Sequence, residues 1–160
     1  MQEAVSTYTS RVAEKLRGEG LAATVLTVSL TTNEFKDGPQ YSNAFTLRLP
    51  VATDGTNELI RSALQGITKI YKNGYQYKKA GVMLTGLGPV NRVQADLFDH
   101  HDRVRSTRLM SALDAVNGRW GAGALQYASS GITKKWKTQF HRCSPAYTTQ
   151  WDELPVVKAG

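Results

Sequence analysis

Residues 26–32 read LTVSLTT. Leu26, Val28 and Leu30 alternate with Thr27, Ser29 and Thr31, so an extended chain here has one apolar face and one hydroxyl-bearing face. That pattern fits a strand in a sheet covered on one side only. The neighbouring segments decide what covers it.

Upstream, residues 3–17 place Val5, Tyr8, Val12 and Leu16 at helical spacing, and Gly18 and Gly20 stop that helix. Downstream, the turn-rich KDGPQYSN (36–43) leads into AFTLRLP (44–50), a second strand with Phe45, Leu47 and Leu49 inward and Thr46 and Arg48 outward. Asp54 or Thr56 then caps a helix carrying Ile60, Ala63, Leu64, Ile67 and Tyr71, which ends near KNG (72–74). KAGVMLTGL (79–87) is a third strand, with Val82 and Leu84 in the core phase and Lys79, Met83 and Thr85 opposed. The order helix, strand, strand, helix, strand gives an α+β fold in which two helices pack on one face of a mostly antiparallel sheet. Beyond GLGPVNR (86–92), RVRSTRLMSALDAVNGR (103–119) reads as a short amphipathic helix with Met110, Leu113 and Val116 on one side and Gly118 as its stop. GALQYASSGI (123–132) reads as a strand or hairpin arm, and the tail SPAYTTQWDELPVVKAG has no period.

The chain has 160 residues and a formal charge of +7, unevenly spread. Between Leu59 and Ala95 no acid occurs, but Arg61, Lys69, Lys72, Lys78, Lys79 and Arg92 do. A second acid-free stretch, Ala115 to Trp151, interleaves Arg119, Lys134, Lys135, Lys137 and Arg142 with Trp120, Tyr127, Trp136, Phe140 and Tyr147. Basic charge attracts phosphate chains without reading sequence, and aromatic faces stack bases, although a solvated basic surface over a small core has the same composition. No apolar run approaches the ~18 residues of a membrane span, and no signal-peptide order opens the chain. With Cys143 as the single cysteine, no internal disulfide forms, which suits a reducing compartment, the cytoplasm by default.

Residues 94–98, QADLF, set Leu97 and Phe98 between charged neighbours, outside any periodic pattern. Either a loop folds back to bury the pair or another protein does. Taken together, AEKLR (13–17), YKKAGVMLTGLGP (77–89), QADLFD (94–99), RLMSALDAVN (108–117) and SPAYTTQWDELP (144–155) resemble the C-terminal part of UmuC-type proteins, the catalytic subunits of DNA polymerase V in the Y family of translesion polymerases.

The resemblance implies a little finger domain over 1–89, a linker with a clamp-binding motif over 90–102 and a small α+β extension over 103–160. It implies that Gln94, Asp96, Leu97 and Phe98 bind the sliding clamp, Gln94 in a polar subsite and Leu97 and Phe98 in an apolar pocket. Ala95 departs from the larger Leu common at its position and should weaken that contact. DNA contacts are implied at Thr31, Arg48, Lys78, Lys79, Met83 and Thr85, with a UmuD-type accessory subunit as a further partner in the SOS response. The family's catalytic carboxylates lie in a palm domain this chain lacks, so no catalytic residue, metal or other cofactor is expected here; Mg²⁺ belongs to the palm. The family's little finger opens with a strand before the first helix. The chain is therefore expected to be a fragment with three strands and an open edge, which invites self-association or pairing with GALQYASSGI.

Other readings stay open. His100, His101, His141 and Cys143 lack paired zinc-ligand spacing, a Cys–His nucleophile lacks a third orienting group, and GLGP lacks the full dinucleotide fingerprint. A free-standing module of RNA-recognition-like architecture shares the helices-behind-a-sheet plan, but that fold stacks bases on sheet aromatics, whereas the outward phases here offer Thr, Ser, Arg and Met.

Overall fold

The computed structural model describes residues 1–93, 102–134, 136, 144–145, 148–149 and 151–154. The elements are α1 (Gln2–Gly18), β1 (Leu21–Thr32), β2 (Ser42–Thr53), α2 (Thr56–Ile70), β3 (Tyr77–Pro89) and α3 (Arg103–Trp120), with single 3-10 turns at Val90–Arg92, Ala128–Ser130 and Trp151–Glu153. The three strands form one antiparallel sheet in the order β2-β1-β3. The α+β plan read from the sequence is the one observed.

Alternation in β1 works as expected: Leu26, Val28 and Leu30 have no exposed surface. They meet Leu59, Ala63, Ile67 and Ile70 of α2 and Val5, Ala13 and Leu16 of α1, with Phe45, Leu47, Val82 and Leu84 packed at the margins. α2 lies so close to the sheet that a Cβ on Gly66 would stand 2.6 Å from Val28 Cγ2. Only glycine permits that approach. The β1–β2 register breaks between Arg48 and Thr53, a stretch that includes Pro50, whose nitrogen has no hydrogen to give the ladder.

α1 ends where Gly20, at φ +65, donates its N–H to Arg17 O. Its buried face is wider than the Val5–Leu16 stripe. Ser6, Thr7 and Thr9 are also buried, because the helix has neighbours on two sides, the sheet and the turn at Ala128–Ser130. Thr7 and Thr9 bond the carbonyls of Glu3 and Val5 four residues back, which meets their hydrogen-bonding need inside the helix.

Three local expectations are corrected. Neither Asp54 nor Thr56 caps α2: the cap is Gly55, with no side-chain bond, and Thr56 is the first helical residue. Gly118 does not stop α3, which runs on to Trp120 and ends before Gly121, at φ +98. GALQYASSGI is not a strand. Asn117 holds it by giving its side-chain amide N–H to Leu125 O and accepting from Leu125 N, and these bonds favour a turn-rich loop over a ladder.

One cation helps to dock the C-terminal unit on the helix layer. Arg17, with its side chain 9% exposed, donates Nε and Nη2 to the two carboxylate oxygens of Asp114, both at 2.7 Å. Its Nη1 donates to Asp54 O at 2.9 Å and Thr56 Oγ1 at 2.8 Å. One guanidinium thus ties together α1, the entry to α2 and α3. Beside it, burial pushes the Tyr127 hydroxyl above its ordinary 10.0, with Arg17 opposing and Asp114 adding to the shift. Trp136 meets Tyr8 of α1 edge-on at 5.5 Å.

Candidate nucleic-acid interface

Among the described residues, the helices cover one face of the sheet and leave the other free. Its side chains follow from alternation and register, which line them up in rows across β2, β1 and β3. The rows are Arg48–Val25–Thr85, Thr46–Thr27–Met83, Ala44–Ser29–Gly81 and Ser42–Thr31–Lys79. All twelve residues are exposed or half-buried, and none is acidic or aromatic.

The third row is made of small side chains. A Cβ on Gly81 would stand 2.7 Å from Ser29 Oγ, so the glycine keeps this row low. Hydroxyl pairs brace the neighbouring rows: Thr27 and Thr46 lie 2.9 Å apart, Thr31 and Ser42 3.3 Å. The cations sit at diagonally opposite corners, Arg48 on β2 and Lys79 on β3, about 20 Å apart along the strands. Neither has an ion-pair partner among the described residues. A shallow, hydroxyl-rich surface with a low middle and two free cations suits a sugar–phosphate backbone. It offers no ring on which to stack a base, as an RNA-recognition sheet would.

Of the site residues named from the sequence, Thr31, Arg48, Lys79, Met83 and Thr85 are brought together on this face. Lys78 is placed differently. The ladder pairs Tyr77 with Thr32 and Lys79 with Thr31, so Lys78 is the extra residue of a bulge and alternation assigns it to neither face. It is exposed, beside a recess lined by Asn33, Lys36, Gln40 and Tyr77. Gln94, Asp96, Leu97 and Phe98 lie outside the described residues, as do His100, His101, His141 and Cys143. The sequence reading missed Val25, Ser42, Ala44 and Gly81 as members of the face; strand alternation and register were the available signal.

At the end of the sheet, Tyr41, Tyr71, Tyr75 and Tyr77 cluster with ring centroids 4.9–6.4 Å apart. Tyr41 donates its hydroxyl to Ile70 O, and the Tyr77 hydroxyl both accepts from Lys72 N and donates to Lys72 O. These bonds satisfy backbone groups at the α2 C-terminus, so the cluster is a structural cap. Among the described residues no group of three metal-ligating side chains forms, and no helix is long and apolar enough to cross a membrane.

Residues 1–97 match the model of the impB/mucB/samB family C-terminal domain, and residues 107–157 match a domain of unknown function. The chain is 36% identical to Protein ImpB of Salmonella typhimurium over 162 residues, covering 100% of this chain and 38% of that protein. It is 35% identical to Protein UmuC of Salmonella typhimurium strain LT2 over 160 residues, covering 99% of this chain and 38% of that protein. It is 30% identical to DNA polymerase IV of Caulobacter vibrioides over 115 residues, covering 72% of this chain and 27% of that protein. The chain therefore spans well under half the length of these relatives.

Proposed function

The chain belongs to the impB/mucB/samB family, whose C-terminal domain it carries at residues 1–97, and from that premise we propose that it grips DNA and tethers an error-prone translesion polymerase to its sliding clamp. The observation that carries the first half is the acid-free sheet face with Arg48 and Lys79 at opposite corners. Hydroxyls and cations contact phosphate and sugar, groups every template shares, so the grip is indifferent to sequence. That indifference suits a polymerase that must hold damaged DNA in an SOS response.

The second half rests on QADLF: Leu97 and Phe98 are the anchors, with Gln94 and Asp96 beside them on the polar side. In this reading residues 1–89 grip, 90–102 tether and 103–160 form the extension, which offers a surface to a UmuD-type accessory subunit. The chain itself catalyses nothing. Nucleotidyl transfer and its Mg²⁺ ions belong to a palm domain in the full-length polymerase, and the site of action is the cytoplasm.

The test is a salt titration of duplex binding by fluorescence anisotropy. Replacing Arg48 and Lys79 by Ala should weaken binding and lower the slope of log K against log salt by about 1.8, since each lost phosphate contact removes ~0.9. An unchanged slope removes the sheet face from the interface.

A further inference from the structure

α3 has a second face that docking does not use. Met110 and Asn117 are buried, and Asp114, the only acid within the helix, is held by Arg17. At 3.6 residues per turn, Arg105, Arg108, Ala112 and Arg119 fall within an arc of about 60° on the side turned away from Met110 and Asn117. All four are exposed, and the arc contains no carboxylate. The arginines span about 21 Å of helix. Arg105 and Arg108 have no side-chain partner among the described residues, and Arg119 lies over the Trp120 ring at 5.0 Å. Trp120 is 65% exposed, and Leu109, beside the arc, is 57% exposed.

Three guanidinium groups along one rigid helix, with no acid among them, complement a chain of phosphates. The exposed indole narrows the choice of polyanion. A duplex hides the faces of its bases in the stack, whereas a single strand offers both phosphates and free base faces. An acidic protein would meet the arginines but would leave the indole unexplained. α3 packs on the helix layer through Arg17 of α1, so this face is separate from the free face of the sheet.

We propose that the outward face of α3 binds single-stranded nucleic acid, with Arg105, Arg108 and Arg119 on phosphates and Trp120 stacked on a base. The site stands on its own residues and does not depend on the sheet-face reading.

Binding of fluorescein-labelled oligo(dT), and of a duplex of matched length, is measured on the full chain across a salt series. Replacing the three arginines by Ala should lower the single-strand slope by about 2, at ~0.7 per contact. Trp120→Ala should weaken oligo(dT) binding about tenfold, leave duplex binding unchanged and abolish most of the tryptophan quenching that oligo(dT) produces. Arg48→Ala/Lys79→Ala is the reference: its effect on duplex binding judges the sheet face alone. Circular dichroism confirms that each variant is folded, as expected for exposed positions. The proposal is overturned if the chain does not bind oligo(dT), or if affinity, slope and quenching survive both α3 variants. Equal losses for duplex and single strand in Trp120→Ala would overturn the stacking role.

Discussion

Asp114→Ala tests how the two halves of the chain are joined. Arg17 is 9% exposed and makes four hydrogen bonds, two of them to Asp114. Among the described residues, removing the carboxylate leaves a nearly buried guanidinium with only Asp54 O and Thr56 Oγ1. Breaking one side of a fully buried pair costs about 3–5 kcal/mol. Asp114 is 30% exposed, so water compensates part of the loss, and the expected cost is about 2–3 kcal/mol. For a chain of this size that is a fall in Tm of roughly 5–10 °C. Urea unfolding followed by circular dichroism reads the loss. A double-mutant cycle with Arg17→Met should give a coupling energy of about 1–2 kcal/mol, because the residues touch and share partners. Hydrogen exchange should show α3 losing protection before the sheet does. If Asp114→Ala stays within about 0.5 kcal/mol of the parent and the coupling vanishes, the pair behaves as a screened surface bridge. The docking of α3 would then rest on the burial of Met110.

Gly66→Ala drives a methyl into Val28 and should cost about 1–2 kcal/mol, the overpacking penalty less the helix-propensity gain; in a Val28→Ala background, measured by the same unfolding, the cost should largely disappear. The raised pKa of Tyr127 has no effect on stability below pH 10, the unfolded value. Above it the unfolded chain releases the proton first, so stability falls until the folded pKa is passed, and Tyr127→Phe should lose less stability than the parent as the pH is raised above 10. Leu97→Ala/Phe98→Ala should abolish capture on immobilised sliding clamp and leave DNA affinity intact; retained capture would place the clamp contact elsewhere.

Local periodicity was enough to read the sheet. Leu26, Val28 and Leu30 declare their face because a strand sends successive side chains to opposite sides, a property of the backbone itself. The same rule places Arg48, Lys79, Met83 and Thr85 on the face opposite the core. Lys78, which the resemblance named and alternation did not, falls on a bulge that inserts one residue without leaving a trace in composition. GALQYASSGI carries strand-forming residues, but Asn117 takes up the backbone groups of Leu125 and turns the segment into a loop. Propensity yields there to a tertiary hydrogen bond.

What the sequence by itself determined is the order of the elements, the phase of each strand and the basic, acid-free character of the outer face. Only the tertiary structure decided which distant residues meet. Arg17 and Asp114 are 97 positions apart, and neither lies in a pattern that marks it out. Burial of Thr7 and Thr9 depends on α1 having a neighbour on each side, which its own period cannot report. Gly66 resembles a weak point in a helix until Val28 is seen 2.6 Å from where its methyl would be. Periodicity is a property of adjacent residues, whereas contact depends on how whole elements pack, and that is settled only when the chain folds.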